Sequence, residues 1–360
     1  MKRRILTSLI AVIFILTAVV LVTGCKKSKA GETLSIIPEN ASMVANINFQ
    51  KLAQLPIFDK SIKEAEEKNV EKPSKYFKDY KDFVDKTGID LKKDITAMSI
   101  AIVGPMKEGM GQAPNFVVVA GLTYQKDKII NFIKSKGGEF KEEQYNGETI
   151  YKFIDEEQKE GAVVFLEGSI AMGFPNAVKN VIDTFKGKMK SVKENAMMKA
   201  PLEKMNPAAI FSFAMGIPED VKKEHKVGGG MMTIDMTKAE CIFGNIDYAD
   251  KTWTGLVQLV SKNETANQSL ATTLEGFKGM MGAGGAEFAE LAGKIKFTAT
   301  AEAVKMEVSL SEALLEKIQQ KLKSFGSQMA PSSEEMMPTA PEEGQPEEST
   351  EPSETTEKSE

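Results

Sequence analysis

The residues able to do chemistry are few and scattered. His225 is the only histidine of the 360-residue chain, and it stands in a charged stretch with no Ser or Cys motif beside it. A histidine-based triad needs that ring bonded to a nucleophile and oriented by an acid, and the spacing supplies neither. Zinc sites rich in histidine are excluded, and the two cysteines, Cys25 and Cys241, make no ligand pair in their place. Asp90 with Asp94, and Asp247 with Asp250, are close enough in sequence to share a cation. Neither pair carries the further oxygen ligands and central Gly of a calcium loop, so they read as turn or strand-end residues. Gly228–Gly230 and Gly279–Gly285 lack the Gly-Lys-Ser/Thr of a phosphate loop, and no Gly-x-Ser-x-Gly occurs. No catalytic residue, no cofactor and no metal are therefore expected. A carboxylate pair assembled from distant positions, a hydrolase with dispersed acids, is the remaining enzymatic route.

Methionine is the unusual component. There are twenty, with pairs at Met197-Met198, Met231-Met232, Met280-Met281 and Met336-Met337. The side chain is flexible and polarisable, and it serves adaptable binding surfaces as well as irregular cores. Met231, Met232, Met280 and Met281 are the candidate lining of a groove for an acyl chain or a partner's apolar segment. Core filling and Met-rich turns are the more ordinary use.

The elements that must position these residues follow from hydrophobic period. Met43, Ala45, Ile47 and Phe49 alternate with Val44, Asn46 and Asn48, the mark of a half-buried strand. Two helices follow, the second with Tyr76, Phe77, Tyr80, Phe83 and Val84 on one face and Gly88 at its end. Strands are expected over Ile95–Val103 and Phe116–Thr123, then a helix over Lys126–Lys136. Glu139–Tyr145 and Glu148–Phe153 meet at Asn146-Gly147, a strong hairpin signal. Ala162–Glu167 pairs with Ile170–Gly173, and Pro175 opens a helix carrying Val178, Val181, Ile182 and Phe185. A helix over Val192–Lys204 and a strand over Ala208–Met215 come next. The polar, Gly-rich stretch Pro218–Gly230 marks a lobe boundary. Beyond it lie strands near Met231–Met236, Glu240–Ile246 and Trp253–Val260, helices over Glu264–Met281 and Glu287–Ala292, the hairpin Ile295–Ala301 with Val304–Leu310, and a last helix.

Hairpins interrupted by helices predict an α+β fold, mostly antiparallel sheet with packed helices. The order strand–helix–strands–helix recurs over 116–185 and 253–325, so two similar lobes are expected, 34–217 and 218–326. Residues 327–360 hold Pro, Glu, Ser and Thr with few apolar groups and are expected to stay disordered. Residues 331–360 carry ten Glu and one Lys, and residues 1–24 carry three basic residues. Removing that −9 and that +3 from the total of −5 leaves a body of +1. A nearly neutral body gives no electrostatic case for nucleic acid.

The first 24 residues place Lys2, Arg3 and Arg4 before an apolar run from Ile5 to Leu21, the pattern of a secretory leader. That run is also near the roughly 17–25 residues that span a bilayer, so length does not decide between leader and transmembrane helix. Val22-Thr23-Gly24-Cys25 resembles the bacterial lipobox. The resemblance implies a diacylglyceryl group on the Cys25 thiol and cleavage that makes Cys25 the first mature residue. Two or more acyl chains hold a protein stably on a membrane where one does not. Residues 25–33 then form a tether. Lys26 and Lys27 after the cysteine, with no Asp, fit export to an outer membrane in a diderm, or the outer face of the cell membrane in a monoderm. With Cys25 acylated, Cys241 has no partner in the chain, and the expectation for it is a small buried hydrophobe.

A wider likeness lies in the body. Ile37-Pro38-Glu39, Thr87-Gly88-Ile89-Asp90, Lys93-Asp94, the run Tyr145 to Tyr151 and Met172-Gly173 together resemble a group of uncharacterised bacterial envelope proteins, over most of residues 34–325. That likeness implies no activity. The leading expectation is a non-enzymatic structural or interaction protein, anchored to a bacterial membrane through Cys25 and facing periplasm or exterior, with an envelope protein as partner. The alternatives are a carrier of lipid or another apolar ligand, and the dispersed-carboxylate hydrolase.

Overall fold

A computed structural model of the chain describes residues 30–60, 75–104, 115–135, 140–154, 160–219, 224–227 and 232–329, with single positions at 63 and 222. The leader, Cys25, most of the tether and the acidic tail from 330 lie outside the described residues. The first half of the body runs α1 (Ala30–Thr33), β1 (Ala41–Ile47), α2 (Phe49–Leu52), α3 (Lys75–Thr87), β2 (Ile95–Val103) and β3 (Phe116–Leu122). It continues through α4 (Lys126–Ser135), β4 (Lys141–Tyr145), β5 (Glu148–Ile154), β6 (Glu160–Leu166), β7 (Ser169–Gly173), α5 (Pro175–Phe185) and α6 (Ala196–Lys204). The second half holds β8 (Phe211–Gly216), β9 (Glu224–Val227), β10 (Met232–Asp235), β11 (Ala239–Ala249) and β12 (Thr252–Ser261). It ends with α7 (Glu264–Gly282), α8 (Ala286–Gly293), β13 (Ile295–Ala299), β14 (Ala303–Ser311) and α9 (Glu312–Met329).

Twelve of these strands make one sheet in the order β13-β14-β12-β11-β8-β1-β2-β3-β7-β6-β5-β4, while β9 and β10 form a separate pair. Neighbouring strands are antiparallel, and the fold is α+β. The expected lobes share this sheet: β8 pairs with β1 on one edge and with β11 on the other. The described residues through Leu315 group as one compact unit, and the described residues from Glu316 as another. The repetition is nonetheless present in the path. After β3 the chain crosses through α4 to the sheet edge and works back until β7 lies beside β3. After β12 it crosses through α7 and α8 and works back until β14 lies beside β12. The two paths start at the adjacent central strands β1 and β8, so the repeat begins at Ala41 and Phe211 rather than at 34 and 218.

Strands β1, β2, β3 and β6 are covered on both faces, and strand period assigns each residue to one of them. Val118, Val163 and Phe165 face α4 with Ile129 and Ile133. Val117, Val119, Ala162 and Val164 face α5 with Val178, Val181 and Ile182. This corrects the half-buried reading of β1. Val44 and Asn46 are fully buried, because a layer lies over each side of this central strand. Asn46 tolerates burial through its Oδ1, which accepts from Ser99 Oγ at 3.1 Å, and Ser99 Oγ in turn lies 2.7 Å from Thr33 Oγ1. Thr33 belongs to α1, so the folded body already begins within the expected tether.

Local signals explain the ends of several elements. Gly88 (φ +72°) stops α3, its N–H donating to Val84 O at 2.8 Å. Asn146 and Gly147 both have positive φ, as a type I′ hairpin between β4 and β5 requires. The helix expected over Val192–Lys204 is interrupted. Val192–Glu194 form a 3₁₀ turn, and Asn195 turns extended to cap α6, its side chain accepting from Met197 N–H at 2.9 Å. The stretch Pro218–Gly230 contains a strand that periodicity does not show. Glu224–Val227 pair with β10, and His225 sits opposite Ile234 rather than in a loop. Such a strand is held by backbone ladder bonds, which leave no hydrophobic pattern in the letters.

Gly173 lies where β7 runs between β3 and β6. A Cβ there would stand 2.2 Å from Phe116 O and 2.8 Å from Val117 Cα. Gly173→Ala is expected to destabilise the fold by ~1–3 kcal/mol through this backbone collision. Gly293→Ala, with open space around it, is expected to stay within ~0.5 kcal/mol. Urea unfolding of both variants beside the parent checks the contrast, and equal midpoints would refute it.

Candidate functional site

Helices α3 and α4 lie over β2, β3, β7 and β6 without filling the space beneath them. Phe83 of α3 meets Phe132 of α4 edge to face, with centroids 5.3 Å apart. Under this pair a cavity of about 120 Å³ opens. Its floor includes Met98, Val118, Ala120 and Met172, and its sides include Ile129, Ile133 and Phe165. Every lining residue is apolar. A cavity of roughly 150 Å³ with this kind of wall stays dry and takes up benzene-sized apolar molecules. An apolar guest would gain packing against this lining and leave water as it did so.

Lysines and aromatic rings adjoin the lining at Phe165. Lys126, the first residue of α4, is exposed and places its Nζ 5.1 Å from the ring centroid of Tyr151 and 5.9 Å from that of Phe165. Lys86 Nζ stands 5.9 Å from the Phe132 centroid. Contacts of this kind with ring faces contribute ~0.5–1 kcal/mol at exposed sites. Tyr124 packs its ring 5.7 Å from that of Phe165, its OH donates to Leu166 O at 2.6 Å, and burial pushes its pKa up to about 12.

The methionines singled out by sequence fall elsewhere. Met280 is 63% exposed on α7, close to Phe277 at 42%, and together they make an exposed apolar strip. Met281 is half-buried on the same helix, and Met232 lies on β10, which α7 packs against. Met231 and Cys25 lie outside the described residues. The methionines of the cavity are Met98 and Met172, each single and each inside a strand, so pairing in sequence was not the useful signal.

The titratable groups act as struts. Asp94 accepts from Asp90 N–H at 2.6 Å, and Asp90 accepts from Lys92 N–H at 2.9 Å, which closes the turn before β2. The Lys93 ammonium beside it holds the Asp90 carboxyl below its usual range. Asp247 bridges to Lys51, and Asp250 occupies the β11–β12 turn at φ +49°. Glu143 receives Lys152 and Lys179, each at 2.6 Å, and their hydrogen bonds lower its pKa to about 2. Asp235 and Glu307 are also shifted down, by the Thr237 hydroxyl and by Lys305. A general acid of a glycosidase needs the opposite direction. Among the described residues no three His, Cys, Asp or Glu side chains converge to hold a metal ion. Cys241 is buried and unbonded in a small cluster with Phe243 and Val260, and burial pushes its thiol pKa up.

Two measurements follow. Ala120→Leu fills the cavity from its floor and is expected to raise stability by ~0.5–2 kcal/mol, against a loss of ~1–3 kcal/mol if no void were there. Glu143→Gln is expected to lower the melting temperature slightly at pH 7. Glu143 is depressed from 4.5 to about 2, so its contribution is present above pH 4.5 and lost as pH falls through about 2. The difference between variant and parent should shrink over that interval, and a gap that persists below pH 2 would show another cause.

No curated protein matches the chain. Among solved structures, crystal form III of TP0453 is 10% identical, with 80% of this chain and 97% of that chain covered at a TM-score of 0.42. Crystal form I of the same protein is 10% identical, covering 81% and 97% at a TM-score of 0.39. The family match is broader in meaning, although it stops well before residue 325. The family described as a protein of unknown function, DUF3352, matches residues 5–224, more than half of the chain, and the chain belongs to that family.

Proposed function

We propose that this protein is a lipid-anchored component of a bacterial cell envelope whose folded body shelters an apolar ligand and catalyses no reaction. The observation that carries the second part is the wholly apolar cavity between α3, α4 and the sheet. It favours carriage of a ligand over a purely structural role, since filling the space with larger side chains would serve structure better. The anchor rests on the leader and on Cys25 after Val22-Thr23-Gly24. A membrane lipid held through acylated Cys25 would keep the body close to a supply of acyl chains. Periplasm or cell exterior is the compartment this reading assigns. The strip of Phe277 and Met280 is where an envelope protein partner would find apolar surface.

Mass spectrometry of the full chain purified from an expressing bacterium tests both parts. The expected mature species begins at Cys25 and carries covalent acyl groups, and Cys25→Ala leaves the leader uncleaved. A chain that keeps its leader and has no acyl group would overturn the anchor. Gentle ionisation of the same sample is expected to release a non-covalent apolar ligand from the parent and much less from Ala120→Leu, with the anchor mass unchanged. Equal release from both would remove the carrier reading.

A further inference from the structure

The chemistry of the rim narrows the ligand. From the apolar cavity, the wall residue Phe165 leads outward to Lys126, whose ammonium rests over that ring and the ring of Tyr151. The two ring contacts hold the amine beside Phe165, a residue of the cavity wall, and Lys126 shares its helix face with the lining residues Ile129 and Ile133. Lys128, two residues on, sets its Nζ 3.6 Å from the point where a Cβ on Gly88 would sit, immediately before the lining residue Ile89. Among the described residues neither Lys126 nor Lys128 forms an ion pair with a carboxylate, although Lys152 on β5, Lys179 on α5 and Lys186 just after α5 all do. A greasy pocket ending at unpaired cations is complementary to a molecule with one apolar end and one anionic end.

We infer that the cavity takes the distal end of a single acyl chain whose carboxylate is met by Lys126, so that the ligand is a free fatty acid. This rests on the carrier reading above. The void is near benzene size, so it holds the last few carbons of the chain. The few remaining methylenes of a medium-chain acid pass Phe165, and the carboxylate lies at the solvent edge, where Lys126 can make a charge-assisted hydrogen bond to it. No polar group inside competes for the head, which fixes the orientation: tail inward, acid outward.

The test uses the full chain in envelope membranes of an expressing bacterium. Octanoate bearing a diazirine at its far end is added and photolysed, and labelled peptides are mapped. A probe with the same chain and a terminal alcohol is run beside it. The expected labels fall on β2, β3 and α4 for both probes, and Ala120→Leu abolishes them. Lys126→Gln is expected to cut labelling by the acid about tenfold and leave the alcohol unchanged, while Lys126→Arg restores the acid. Thermal melts show whether the exposed substitutions leave the fold intact. Labelling of the cavity that ignores Lys126 would overturn the fatty-acid assignment and leave the apolar-ligand reading standing. Labels absent from the cavity with both probes would overturn the two together.

Discussion

The structure depends on burying the central strands of one antiparallel sheet on both faces. Antiparallel sheets commonly leave one face to water. Here β1, β2 and β3 carry apolar side chains up and down, and each face has its own cluster. The requirement explains the helices α4 and α5 on opposite sides. It also bears on Asn46, Ser99 and Thr33, whose bonds satisfy the Asn46 Oδ1 and two hydroxyls that cannot reach solvent. The Asn46 Nδ2 and the Ser212 Oγ are buried without a partner among the described residues, a cost of ~1–3 kcal/mol each that the surrounding packing must offset.

The two faces meet that requirement differently. On the α5 side the sheet offers small residues, among them Ala101, Ala162 and Ala171, and α5 settles onto them with Val178, Val181 and Ile182. On the α4 side the residues are larger and include Phe165, Tyr151 and Met98, and the helix pair above is braced by Phe83 against Phe132. Large side chains hold the helices away from the sheet, and a void remains between them. A cavity of this origin arises from spacing between layers, and no single residue makes it. The same bracing leaves Lys126 supported on aromatic faces at its edge.

Charge in the body is spent on joining elements. Glu143 on β4 ties β5 to α5 through Lys152 and Lys179, Glu148 on β5 meets Lys186, and Asp247 on β11 meets Lys51 near the end of α2. Tyr248 donates to Glu312 across the start of α9, with burial raising its pKa to about 12. Its ring packs tilted against Trp253, with centroids 4.9 Å apart, beside the β11–β12 turn. These contacts tie strands to one another and to the helices that cover them.

Much of this was legible in the letters. Alternation located β2, β5, β12 and β14, Asn146-Gly147 located its hairpin, and the 3.6-residue period located α4, α5 and α7, because each of these signals acts between near neighbours in the chain. The recurrence of strand, helix and strands was legible too, although its true start at β1 and β8 was not. Local signals say nothing of which strand lies beside which, so the single sheet joining both halves, the double burial of Asn46 and the pairing of His225 with Ile234 were decided by tertiary contacts alone. The cavity belongs to the same class. Its walls come from four strands, two helices and the turn between α3 and β2, and each residue in them is an ordinary core type by itself. Composition and period determined which residues turn inward; only the distance between packed layers decided that those residues would stop short of one another.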